Sequence, residues 1–228
     1  MSTSRTTAVI FDLDGTLVDS EPHYFEAGRR TLAAYGVTDF SWEEHTRFIG
    51  ISTRETLTIL RSEHGIDASV DTLLATKNRH YLELVDSSME AFSEMRRFVE
   101  LLAERGHPIA VASGSSRAAI GAVLRATGLD AQLTTYVSAE EVPHGKPEPD
   151  VFVAAADRLG VRPADCAVVE DAPPGAEAAR RAGMRCVAVP YVPATADDPW
   201  FAAAGLRFAG GQGEFDAERA YAWLTAGR

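Results

Sequence analysis

From residue 93 onward the chain alternates short β-branched runs with amphipathic helical stretches, and this alternation restricts its fold more than any other feature. SEMRRFVELLAERG reads as a helix capped by Ser93, PIAVAS as a strand, SSRAAIGAVLRATG as a helix and LTTYVS as a short strand. PDVFVAAADRLG, CAVVED, PGAEAARRAG and RCVAVP continue the helix–strand alternation, and LRFA with FDAERAYAWL forms a closing strand and helix. Successive strands joined through helices run parallel, because the crossover returns each strand to the same edge, and both sheet faces are then covered. TAVIFDLDG adds a buried strand at the N-terminus that ends in acids.

Between residues 20 and 86 the strand signal is absent. A helix starting at Pro22 runs to Gly36, SWEEHTRFIG runs from a Ser41 cap to Gly50, and STRETLTILRSEHG spaces Ser52 and Glu55 as a capping box. SVDTLLATKNRHYLELVD is a fourth helix. The expected architecture is therefore a Rossmann-like α/β core, residues 1–19 and 87–228, interrupted by an α-helical cap over residues 20–86.

Open parallel sheets hold ligands in the crevice beyond the carboxyl ends of their strands. This sequence places Asp12, Asp14, Gly15 and Thr16 at one such end, and Ser113, Gly114 and Ser115 at a second. Lys146 follows a third strand, and Glu170 with Asp171 a fourth. Clustered carboxylates repel one another unless a cation neutralises them, and hard oxygen ligands select Mg²⁺. The formal net charge of -11, from 33 acidic and 22 basic residues, disfavours nucleic acid and anionic lipid as partners. It also repels phosphate esters, so a phosphate site would need a local positive field from Mg²⁺, a lysine and a hydroxyl. Within such a site one carboxylate can attack phosphorus and a second can protonate the leaving alcohol.

Cys166 and Cys186 show no metal-type spacing and read as buried thiols of a cytoplasmic protein. The apolar run from Ala8 to Phe11 is too short for a signal peptide, and no later run suits a bilayer. A monomer is expected.

Four segments carry a family resemblance. FDLDGTLVDS resembles the first motif of the haloacid dehalogenase superfamily, and ASGSS its second. The lysine of GKPEPD is similar to the third, and VVEDAPPGAEAARRAG to the fourth. The resemblance implies Asp12 as nucleophile and magnesium ligand, and Asp14 as general acid/base that lends the metal its backbone carbonyl. It implies Asp171 as a metal ligand, with Glu170 either a ligand or a supporting residue behind one. Ser113, Gly114 and Lys146 would hold the phosphoryl oxygens. Lys77, on the fourth helix, reads either as a solvated helix lysine or as a substrate contact, and the contact is favoured. The implied activity is hydrolysis of a small phosphorylated metabolite, a sugar or polyol phosphate, through an aspartyl-phosphate.

Within the superfamily, Asp14 argues against haloalkanoate dehalogenases, which lack a second aspartate. The absence of lysine from Ile49 to Thr53 argues against phosphonoacetaldehyde hydrolase. β-Phosphoglucomutase is the rival reading, since KNRHY and IGISTRETL resemble its cap segments. Tyr24 stands where the mutase has histidine, and Thr53 where it has arginine, so hydrolysis is favoured. A non-catalytic binding module is the alternative of another class. Most of the histidines are expected on surfaces or helix faces, the arginine doublets on solvated faces, and AGGQG in a turn.

Overall fold

The computed structural model describes residues 7–226, without the side chains of residues 86–88. Six parallel strands form one sheet in the order β3-β2-β1-β4-β5-β6. They are β1 (Ala8–Phe11), β2 (Ile109–Ser113), β3 (Tyr136–Ser138), β4 (Cys166–Glu170), β5 (Arg185–Ala188) and β6 (Leu206–Arg207). β1 lies in the middle, with Phe11 paired to Val111 of β2 and to Val169 of β4. In this order the chain winds outward in both directions from the gap between β1 and β4, so the helices diverge there and leave a crevice.

Side chains alternate along each strand, so the two faces build separate cores. Val9, Phe11, Val111 and Val169 pack with α5 (Ser93–Glu104), α6 (Arg117–Thr127) and α9 (Ala217–Thr225). Ala8, Ile10, Ala110 and Val168 pack with α7 (Asp150–Leu159) and α8 (Pro173–Arg181). On the second face many partners are alanines, which lets α7 and α8 lie close to the sheet.

The helices of the insert are α1 (Glu21–Ala33), α2 (Trp42–Thr46), α3 (Thr53–Glu63) and α4 (Val70–Ser88). Leu32, Phe40, Phe48, Leu57, Leu60 and Leu73 give them a third apolar cluster of their own. Ser41, Ser52 and Ser69 each accept a backbone N–H from three residues ahead, a cap that stabilises a helix start by about 1 kcal/mol. Tyr24 and Tyr81, stacked with ring centroids 4.0 Å apart, pack into the first core cluster and tie the insert to the sheet.

Several boundaries differ from the sequence expectation. α5 starts at Ser93 with Phe92 as its cap residue, so the Ser93 hydroxyl does not cap it. α2 ends at Thr46, and consecutive turns carry the chain on to Gly50. The closing strand spans two residues only.

Candidate active site

The crevice at the carboxyl ends of β1, β2 and β4 is lined by Asp12, Asp14, Gly114, Ser115, Lys146, Glu170 and Asp171. Lys77, Glu21, Tyr24, His45 and Thr53 line it from the insert, and the whole pocket encloses about 530 Å³ including its mouth. Among the described residues, segments more than 130 positions apart thus meet in one site, as between Lys146 and Asp12.

Asp12 follows β1 directly and continues the ladder, donating its backbone N–H to the Val169 carbonyl at 3.0 Å. Its carboxylate Oδ1 accepts from Lys146 Nζ at 2.5 Å, and the same ammonium donates to Glu170 Oε1. Lys146 is only 6% exposed, so its ammonium is held inside the site and not in solvent. Burial pulls its pKa down, but Asp12 and Glu170 outweigh burial and hold it above its usual value. Glu170 is fully engaged: its other oxygen accepts the backbone N–H groups of Asp171 and Ala172, each at 2.9 Å. It supports Lys146 and the β4–α8 turn.

Asp171 differs from its neighbour. Oδ1 accepts the Thr16 hydroxyl at 3.0 Å, whereas Oδ2 is buried and, among the described residues, without a hydrogen-bond partner. Burial, then the negative charges of Glu170 and Asp12, push the Asp171 pKa well up. Burial is also the largest cause of the raised Asp12 value, opposed by Lys146. A buried carboxylate oxygen with no partner, between like charges, is the environment a hard cation relieves. The donor set therefore fits Mg²⁺ at Asp12 and Asp171.

Asp14 lies beyond Asp12, with its carboxylate gripped by hydroxyls. Ser20 donates to Oδ1 at 2.7 Å; Ser113 and Ser115 donate to Oδ2 at 3.0 and 2.5 Å. Burial raises its pKa and these bonds partly offset the rise. Ser113 thus lies against the Asp14 carboxylate. It is fully buried behind Asp14 and, among the described residues, is not part of the pocket lining, whereas Ser115 is. The Tyr24 hydroxyl lies 2.6 Å from Ser115 Oγ. The GGQG turn buttresses the same loop, since Gln212 Nε2 donates to the carbonyls of Gly15 and Thr16 at 3.1 and 2.9 Å.

Lys77 on α4 is 5% exposed and stands 5.0 Å above the Tyr24 ring. His45, on α2, is buried against Glu21 at 2.8 Å. Neither Glu21 nor His45 was legible as a site residue, because no sequence spacing announces a pairing across 24 positions. Glu44, Glu63 and His64 bring ligand atoms within 4.8 Å of one another on the insert, but Glu63 is exposed and paired with Arg47. The arginine doublets lie as expected on solvated faces, as where Arg29 and Arg30 both grip Glu26. Among the described residues no helix is long and apolar enough to cross a membrane.

The family model of haloacid dehalogenase-like hydrolases matches residues 9–189. A bifunctional riboflavin kinase/FMN phosphatase of Arabidopsis thaliana is 32% identical over 192 residues, 82% of this chain. The chain spans about half the length of that relative, 49% of it. The fructose-1-phosphate phosphatase YqaB of Escherichia coli is 33% identical over 185 residues, 81% of this chain and 97% of the relative. The crystal structure of β-phosphoglucomutase from Clostridium difficile shares the fold at a TM-score of 0.82 and 23% identity, covering 96% of this chain and 97% of that one. The family match runs from β1 through β5 and takes in each strand end that meets in the crevice, so this chain belongs to the haloacid dehalogenase-like hydrolases.

Proposed function

We propose that this hydrolase is a magnesium-dependent phosphatase of small sugar or polyol phosphates that works through an aspartyl-phosphate on Asp12. The observation that carries the reading is the pairing of Asp12 with Lys146 beside the partnerless Asp171 oxygen, at the sheet's switch point. Asp12, Asp171 and the Asp14 backbone carbonyl would hold Mg²⁺, which supplies positive charge to the phosphoryl oxygens. Lys146 supplies a second positive charge beside the nucleophile, and Gly114 and Ser115 face the same pocket.

In this reading an Asp12 oxygen forms a bond to phosphorus as the ester P–O bond breaks. Asp14, whose raised pKa favours a held proton, gives that proton to the departing alkoxide. Water then attacks the phosphorus, Asp14 takes its proton, and Asp12 is released with inorganic phosphate. Glu170 keeps Lys146 oriented through both steps. Residues 20–86 act as a cap over the site, with Lys77 reaching the substrate.

Phosphate release from a panel of sugar and polyol phosphates with Mg²⁺ tests the reading. Asp12→Asn is expected to lower turnover by roughly a thousandfold or more with an unchanged circular dichroism spectrum. Normal turnover in that variant refutes the nucleophile. Bisphosphate-dependent isomerisation of β-glucose 1-phosphate without phosphate release would instead establish the mutase alternative. Absence of both reactions would leave the binding-module reading.

A further inference from the structure

The insert's side of the pocket carries an ionisable pair that the proposed chemistry does not use. Glu21, the first residue of α1, and His45 in α2 are each 6% exposed, joined by a 2.8 Å Nε2–Oε2 contact, and both line the pocket. The His45 ring is fixed from behind by Phe25, Phe40 and Trp42, at centroid distances of 5.8, 6.3 and 5.3 Å. Among the described residues, Glu21 Oε1 makes no hydrogen bond, and the ammonium of neighbouring Lys77 makes neither hydrogen bond nor ion pair.

A buried polar pair is a poor way to stabilise a helical bundle, because desolvation cancels most of its attraction and apolar side chains would fill the space better. The adjoining positions are filled that way, by Phe40, Phe48 and Leu57. What the pair offers is open hydrogen-bonding capacity at a fixed orientation. A carboxylate oxygen accepts from a hydroxyl and an ammonium donates to one.

Resting on the phosphatase reading, we propose that Glu21, held by His45, is a specificity-determining residue that accepts hydrogen bonds from substrate hydroxyls. It selects monophosphates of neutral polyols or sugars over esters without hydroxyls. A site built to bond a hydroxyl discriminates strongly against analogues lacking it, since its own buried groups are then left unpaired.

The test uses the full chain with Mg²⁺ and a series from ethylene glycol phosphate through glycerol phosphate to a hexitol phosphate, with phenyl phosphate as reference. In the wild type, kcat/KM is expected to climb along the series as hydroxyls come within reach of Glu21. In Glu21→Leu the ratio of hexitol phosphate to phenyl phosphate kcat/KM is expected to fall roughly tenfold to a hundredfold. A flat wild-type series, or the same ratio in both proteins, overturns the assignment. Should the variant fail to fold, the wild-type series decides alone. A wild type that releases phosphate from no ester at all would defeat the phosphatase reading itself, a result distinct from a flat series.

Discussion

At the scale of the single residue, Lys77 sets stability against function. Its ammonium is buried with an aromatic ring for company, and burial lowers its pKa from 10.5 to about 8, with Glu21 and Asp14 working in the opposite sense. A lysine whose folded pKa lies below its unfolded one destabilises the fold while charged, because the unfolded chain binds the proton more tightly. Wild-type stability should therefore rise between pH 8 and pH 10.5, the window those two values bound. Lys77→Met removes that climb and, near pH 7, should stabilise the protein by up to roughly 3 kcal/mol while lowering kcat/KM for sugar phosphates. Urea unfolding of both proteins at about pH 7 and pH 10 measures this; an equal pH trend in the two would rule it out. Lys77 also shows how residues became legible. Like Asp12, Asp14, Lys146 and Asp171, it could be picked out because it sits in a recognisable segment. Glu21 and His45 could not, because only the packing of α1 on α2 brings them together.

At the scale of elements, the turn from β4 into α8 fixes the site, and two glycines show how tightly. A Cβ on Gly175 would lie 1.7 Å from Glu170 Oε1, the atom that holds Lys146. Gly175→Ala should push Glu170 aside, destabilise the fold by about 2 kcal/mol or more, and cost activity beyond that loss, because Lys146 loses one of its two carboxylate partners. Thermal unfolding and steady-state kinetics on the same preparation check it; wild-type kinetics would show that Glu170 does not position Lys146. Gly50, between α2 and α3, has φ +88°, and its Cβ would lie 2.5 Å from Ala172 Cβ in the β4–α8 turn. Gly50→Ala both strains the backbone and wedges the insert from the sheet, so, on the proposed reading, KM should rise severalfold for substrates that the insert would contact. An unchanged KM would mean that this contact does not govern access. The strands and helices around these turns were readable from periodicity, since β-branched runs and serine caps are local signals. The start of α5 and the early end of α2 were not. Both are settled by tertiary packing, as where Phe92 N–H bonds to the Leu17 carbonyl and makes Phe92 the cap residue.

At the scale of the whole molecule, the sequence implied a parallel sheet but not the order of its strands, because local patterns say nothing about which edge a crossover joins. That order places Asp12 and Asp171 side by side, and it concentrates negative charge inside a chain whose net charge is already -11. The consequence is a pH dependence set by the core rather than the surface. Asp12, Asp14 and Asp171 all have folded pKa values raised above 3.8, with burial the largest cause in each. A raised carboxylate keeps its proton longer in the folded state, so the metal-free protein should lose stability as pH climbs from about 4 through the folded values. Glu26, Glu141 and Glu177, lowered to about 2 by their arginines, act in the opposite sense, but their window closes by 4.5. Above about pH 5 the buried trio should therefore dominate. On the proposed reading Mg²⁺ would bind the ionised carboxylates and stabilise the folded state by mass action. Its effect should be larger where protons no longer compete. Thermal unfolding in EDTA and in millimolar Mg²⁺, at about pH 5 and pH 7, should show Tm falling with pH in EDTA and a greater Mg²⁺ increment at the higher pH. Equal increments at both would mean that the cation does not bind at these carboxylates, and the charge pairing around Asp12 would need another explanation.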